Sequence, residues 1–298
     1  MRLQVSITLL IIVIFFICIC SRLFTIDQCI TPCVRIRKWG GRLGNNIIQV
    51  LHALYVAMYH NSPLSIPPHD LFEKTVLLSN NSCGDHNITD EGDFFYWDGS
   101  KIGEHFRREH AHEAVSILRE LCSGIRPPAD VKEVKTSKKL LIHLRGGDIF
   151  TSNPHEGYIM PPLSYYTAIV QMYIQMYNTL AITIVSEDDT NPCGQKLREI
   201  FPECIFISGA PLKDDIKRIL SHEIVVCSYG TFVPSLLLLS TEITTLHVPS
   251  YLPCDFPDEF KSMGVKKISS ELTEYEIAMR PWKNTEKQRD YMLTYGMC

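Results

Sequence analysis

Four short stretches carry side chains arranged for chemistry on a phosphorylated ligand. "HLRGGDIF" places His143 and Arg145 on one face of an extended run, followed by Gly146, Gly147 and Asp148 in a compact turn. A guanidinium donates two parallel charge-assisted hydrogen bonds and stays protonated, which suits a diphosphate; the plainer role open to Arg145 is an ion pair with Asp148. "IVSEDD" sets Glu187, Asp188 and Asp189 in a row. Such acids hold a divalent cation, accept hydrogen bonds from a ribose or base edge, or cap the following helix. "VCSYGTFVPSLLLL" runs through Ser228, Gly230 and Thr231 into an apolar helix, so hydroxyls meet exposed amides where an anion is favoured. "VRIRKWGGRLGNNIIQV" packs Gly40, Gly41 and Gly44 between a strand-like run and a helix-like one, as required where something approaches the backbone closely.

Other chemistries lack their motifs. There is no G-x-x-x-x-G-K-[ST] loop, no G-x-S-x-G elbow and no H-E-x-x-H pair. "EHAHE", Glu109 to Glu113, reads as the solvated face of a charged helix. Cys29 and Cys33 have no second pair at zinc-ligand spacing, so no metal site is expected.

These stretches sit at the ends of elements that set the fold class. In the second half, short apolar strands ("LLIHLR", "LAITIVSE", "CIFIS", "EIVVC", "EITTLHVP") alternate with helical runs ("PPLSYYTAIVQMYIQMYN", "CGQKLREIF", "PLKDDIKRILSH", "TFVPSLLLLS"). That rhythm implies an α/β fold with parallel strands covered on both faces, and a ligand beyond the strands' carboxyl ends. In the first half, "CVRIRKW" alternates like a strand, and "NNIIQVLHALYVAMYH" carries its apolar residues at helical intervals, with Asn45 or Asn46 placed to cap. The 298 residues, 45% hydrophobic and 21% charged, suffice for one large domain or two smaller ones. The formal net charge of −4 gives no general attraction to nucleic acid, so any phosphate must be met by a local site.

Before the body, Leu3 to Cys20 is an apolar run long enough for a membrane span, with only Gln4, Ser6 and Thr8 interrupting it. It reads as an uncleaved signal anchor, because "CICSRLF" offers a poor cleavage site. Asn80 and Asn87 head glycosylation acceptor patterns in one polar stretch, and the 11 cysteines accommodate a few disulfides and at least one free thiol. Together these predict a single-pass type II protein of the Golgi or ER membrane with a lumenal body and the lipid bilayer as a partner.

"GGRLGNNIIQVLHAL", "IHLRGGDIF", "YIMPPLSYY", "ITIVSEDD" and "SYGTFVPSLLLLS", in that order between Val34 and Pro249, resemble the GDP-fucose-dependent fucosyltransferases with a GT-B fold. That grouping spans the alpha-1,2-fucosyltransferases (glycosyltransferase family 11-like) and, more distantly, the alpha-1,6 and protein O-fucosyltransferases. The resemblance implies two Rossmann-like domains facing a cleft: residues 1–22 a cytoplasmic stub and anchor, 23–33 a short stem, and 34–138 an acceptor-side domain. Residues 139–255 would be the donor-nucleotide domain, and 256–298 a helical segment packing back on the acceptor-side domain.

It implies transfer of fucose from GDP-fucose to a glycan or glycoprotein hydroxyl with inversion, without a metal or other cofactor. Arg145 would hold the donor diphosphate, His143 the nucleotide side of the same strand, Ser228, Thr231 and Phe232 the phosphate cradle, and Asp188 or Asp189 the guanosine. Gly40, Gly41, Gly44 and Asn45 would form the opposite wall, with Arg42 adding charge from that side. Asp148, His155 and Glu156 are the candidates for a base acting on the acceptor. The alpha-1,2 pattern reads H-x-R-R-x-D, and here Gly146 stands in place of its second arginine. Two alternatives remain: a metal-dependent GT-A-type transferase using Glu187, Asp188 and Asp189, and a catalytically silent glycan-binding protein.

Overall fold

The computed structural model describes residues 33–72, 74–78, 88–95, 102–125, 138–252 and 256–296. Its strands form two sheets. The first has the order β3-β2-β1-β4, built from β1 (Cys33–Ile36), β2 (Leu64–Ser65), β3 (Val76–Leu77) and β4 (Ile88–Gly92). β1 runs parallel to β2 and β4, and β3 closes one edge antiparallel to β2.

The second sheet has the order β10-β9-β8-β5-β6-β7, all parallel: β5 (Lys138–Leu144), β6 (Leu180–Ser186), β7 (Ile205–Ser208), β8 (Ile224–Val226), β9 (Thr245–Pro249) and β10 (Lys266–Ser270). Helices connect its strands: α3 (Leu163–Met176), α4 (Pro192–Ile200), α5 (Leu212–Leu220) and α6 (Phe232–Leu237). Side chains alternate across a strand, so Leu140, Ile142 and Leu144 of β5 join the core under α3 and α4. Leu141 joins the core with α5 and α6 on the other face. This is the doubly wound sheet that the apolar runs predict.

α1 (Leu43–Tyr59) joins the two halves. Apolar on nearly every side, it packs against β1, against α2 (Glu104–Leu121) and against α6 of the second half, and one core runs continuously from the first sheet through α1 to the α5–α6 face of the second. Its start differs from the expected cap: Arg42 is the N-cap and makes no side-chain cap bond, while Asn45 and Asn46 lie inside the first turn.

After Phe256 the chain divides its contacts. α7 (Pro257–Ser262) returns to α2, where the buried Glu259 carboxylate accepts hydrogen bonds from Tyr55 Oη (2.7 Å) and Arg107 Nε (3.2 Å). β10, α8 (Thr273–Met279) and α9 (Glu286–Thr294) instead build onto the second sheet, through Tyr275, Met279, Trp282 and Met292. Among the described residues the expected return onto the first half is made by α7, while α8 and α9 place Tyr275, Met279 and Met292 in the core beneath α3 and α4.

The proposed span Leu3–Cys20, the stem, Cys29, Asn80 and Asn87 lie outside the described residues. Among the described residues no helix is long and apolar enough to cross a membrane. The expectations of a transmembrane anchor, a Golgi or ER membrane location and a bilayer partner find no helix to carry them among the described residues: α1, though long and apolar, is covered by protein, and α2 carries a polar outer face. Cys33 is disulfide-bonded; Cys122 and Cys227 are buried, and Cys193 and Cys204 are buried free thiols.

Candidate functional site: a cleft between the two halves

The carboxyl ends of β5, β6 and β8 open onto the start of α1, and between them lies a cleft of about 580 Å³. Its first wall is Gly41, Arg42, Leu43, Gly44 and Asn45; its floor is His143, Arg145 and Asp148; Ser228, Tyr229, Gly230, Thr231 and Phe232 form the third side. Stretches separated by about a hundred residues in sequence thus meet because parallel strands deliver their carboxyl ends to one edge.

The first wall is held by amides. Gln49, fully buried on α1, accepts from Gly40 N (2.9 Å) and donates to Lys38 O (3.1 Å) and to Asp93 O, tying the loop after β1 to the loop after β4. Asn46 Nδ2 donates to Gly40 O (3.3 Å). Gly40 therefore serves this brace and is not among the residues lining the cleft. Gly44 has a different reason. A Cβ there would stand 2.7 Å from Phe232 Cα and 2.8 Å from Phe232 N, so only glycine lets α1 close on the start of α6. Beside it, Thr231 Oγ1 donates to Asn45 Oδ1 at 2.6 Å, a direct bond between the halves.

Charge is concentrated on the floor. Arg145 is 14% exposed, with Nη2 3.4 Å from Asp148 Oδ1 and its guanidinium carbon 4.5 Å from the centre of the Tyr158 ring. Arg42 reaches across from the first half, Nη1 to Glu187 Oε1 at 3.2 Å and Nη2 to Asp148 Oδ2 at 3.5 Å, and is 62% exposed. Exposed pairs of this kind contribute about 0–1 kcal/mol, so little free energy ties Arg42 to these carboxylates. Burial, with Arg145 adding to it, lowers the His143 pKa to about 4, so the imidazole is neutral at pH 7. Its ring lies 5.6 Å from that of Phe232.

The acidic run does not converge. Glu187 turns to Arg42; Asp188 accepts from Gly147 N (3.0 Å) and Thr190 N (3.0 Å), bracing the glycine turn; Asp189 lines a separate groove beside α4. The cap of α4 is Asn191, which accepts from Cys193 N at 3.0 Å. Asp188 and Asp189 are thus absent from the cleft lining. Among the described residues no group of three or more His, Cys, Asp or Glu side chains forms a metal site. His155 and Glu156 are exposed and outside the cleft lining; the Glu156 carbonyl accepts from Trp282 N at 3.0 Å.

The cleft also contains residues that the motifs did not single out. Tyr158 and Tyr229 line it, as do Ala210, Leu212 and Asp215 at the start of α5. Asp215 is nearly buried and pairs with Arg218 at 3.1 Å; burial raises its pKa, with Arg218 opposing. A carboxylate in the first turn of the helix after a sheet strand was the available signal, but in "PLKDDIKRIL" it has the pattern of an ordinary polar face.

Two α/β halves facing a cleft at the strand ends are the layout of a GT-B-like fold. No family profile matches the chain, and no curated protein matches it. Among solved structures it is similar to E. coli ADP-heptose LPS heptosyltransferase II, with 10% identity and a TM-score of 0.38 over 90% of this chain and 100% of that one. It is also similar to NodZ alpha-1,6-fucosyltransferase soaked with GDP-fucose, with 11% identity and a TM-score of 0.38 over 71% of this chain and 93% of that one. At these values the functional conclusion rests on the cleft itself.

Proposed function

We propose that this chain is a nucleotide-sugar glycosyltransferase of GT-B-like architecture, transferring fucose from GDP-fucose to a glycan hydroxyl with inversion, in the manner of a galactoside alpha-1,2-fucosyltransferase. The observation that carries this is the position of Arg145: fixed at the carboxyl end of β5, in one cleft with Arg42 and Asn45 of the other half. Two guanidiniums, one nearly buried on the floor and one largely exposed on the first wall, are suited to a leaving group that gains charge as it departs. The resemblance of the five sequence blocks supports guanosine diphosphate as that leaving group.

In this reading the acceptor oxygen attacks the anomeric carbon as the bond to the diphosphate oxygen breaks. GDP leaves with the electron pair, and Arg145 and Arg42 neutralise it. The hydroxyl proton passes to Asp148, which lines the cleft as His155 and Glu156 do not. Asp215 replaces Asp188 and Asp189 as the acceptor for a base edge, because a nearly buried carboxylate in the cleft lining suits the N–H donors of guanine.

A panel of nucleotide sugars, with and without oligosaccharide acceptors, tests the assignment. Release of GDP from GDP-fucose, stimulated by a galactoside and yielding a fucosylated product, is expected. Consumption of a uridine or adenosine donor with no turnover of any guanosine donor would contradict it.

A further inference from the structure

Arg145 lies in a slot. Its guanidinium carbon is 4.5 Å from the centre of the Tyr158 ring. Its Nη1 fills the place that a Cβ at Gly230 would need, and Gly230 has a φ of +124° that other residues rarely adopt. The Tyr158 ring meets that of Tyr229 edge-on at 5.7 Å, and the His155 ring lies 5.1 Å from it. The Arg145 carbonyl accepts from Asn191 Nδ2 at 2.9 Å, so backbone and head group are both held. Only the edge bearing Nη2, toward Asp148, faces an exchangeable partner.

We propose that Tyr158 is a positioning residue: with the gap at Gly230 it fixes the plane of the Arg145 guanidinium so that its donors already face an incoming phosphate. This rests on the cleft being a nucleoside diphosphate site. A free arginine loses side-chain freedom each time it binds an anion; one already held against an aromatic ring and a close backbone has lost it on folding. The Tyr158 ring acts through its π face, and its hydroxyl takes no part.

Calorimetric titration with GDP and steady-state donor kinetics on the full chain test this. Tyr158→Leu and Tyr158→Met should weaken GDP binding about tenfold, the order expected for losing a desolvated cation–π contact, with melting temperatures near that of the parent. Tyr158→Phe should bind within about twofold of the parent, since it keeps the ring. The Tyr158→Leu loss should vanish in an Arg145→Ala background, because the ring then has nothing to hold. If Tyr158→Leu weakens GDP equally in both backgrounds, or in neither, the positioning role is overturned. If Arg145→Ala alone leaves GDP binding intact, it is the diphosphate reading of the cleft that fails.

Discussion

Replacing Gly44 by alanine tests how the two halves are joined. The added methyl would stand 2.7–2.8 Å from Phe232 Cα, Phe232 N and Thr231 C, roughly 1 Å inside ordinary contact distance. All three atoms are backbone, so no rotamer change relieves the overlap and α1 must move away from α6. Overpacking of this kind costs about 1–3 kcal/mol. Separation also strains the 2.6 Å bond from Thr231 to Asn45, which contributes about 1 kcal/mol. Alanine returns about 1 kcal/mol of helix propensity. A net loss of about 2 kcal/mol lowers the melting temperature by roughly 4–8 °C for a domain of this size. Gly40→Ala is the control, since the nearest atoms to its Cβ belong to the Gln49 side chain, at 3.7 Å, an ordinary contact, and it should melt with the parent. Differential scanning calorimetry reads both, and GDP titration should show weaker binding for Gly44→Ala. A Gly44→Ala protein melting at or above the parent would refute the close approach of the two helices as the reason for this glycine.

Acid should destabilise the protein well above the carboxylate range. Burial is the largest cause holding His52, His143 and His247 at about 4, so between about pH 6.5 and pH 4 the unfolded chain binds protons that the folded chain refuses. Their contribution is complete above about pH 6.5 and falls as pH drops toward 4, by up to about 3 kcal/mol for each fully shifted histidine; equal urea midpoints at pH 7.5 and 5 would contradict this. Arg107→Met leaves the buried Glu259 carboxylate without its cation and should cost about 3 kcal/mol in urea unfolding, with GDP affinity unchanged in the folded protein. Asp215→Asn should narrow any preference for GDP over ADP, measured by competition, because the neutral amide no longer favours the paired donors of guanine; an unaltered ratio would remove Asp215 from base recognition.

The second sheet was legible because strands buried on both faces must be continuously apolar, and β5, β6 and β8 announce themselves in that way. Of the first sheet, only β1 was read as a strand, in "CVRIRKW". β2 and β3 have two residues each, and β4, "ITDEG", is a polar edge strand within what read as a glycosylated loop; β10, "KKISS", hides at the other sheet's edge for the same reason. At the site, Arg145, His143 and Thr231 could be placed because strand ends mark the ligand edge of a parallel sheet. Periodicity does not report lateral distances. It could not show that Asp188 turns away to brace Gly147, that Gly44 meets Phe232, or that Asp215 reaches the cleft from a helix.

The central claim is that Arg145 receives the charge of a nucleoside diphosphate, and a GDP titration of the parent and Arg145→Ala tests it most directly. The account predicts saturable binding by the parent and at least tenfold weaker binding by a variant of equal melting temperature, about the 1.4 kcal/mol or more that a charge-assisted bond contributes. Equal affinity of the two folded proteins for GDP would contradict it.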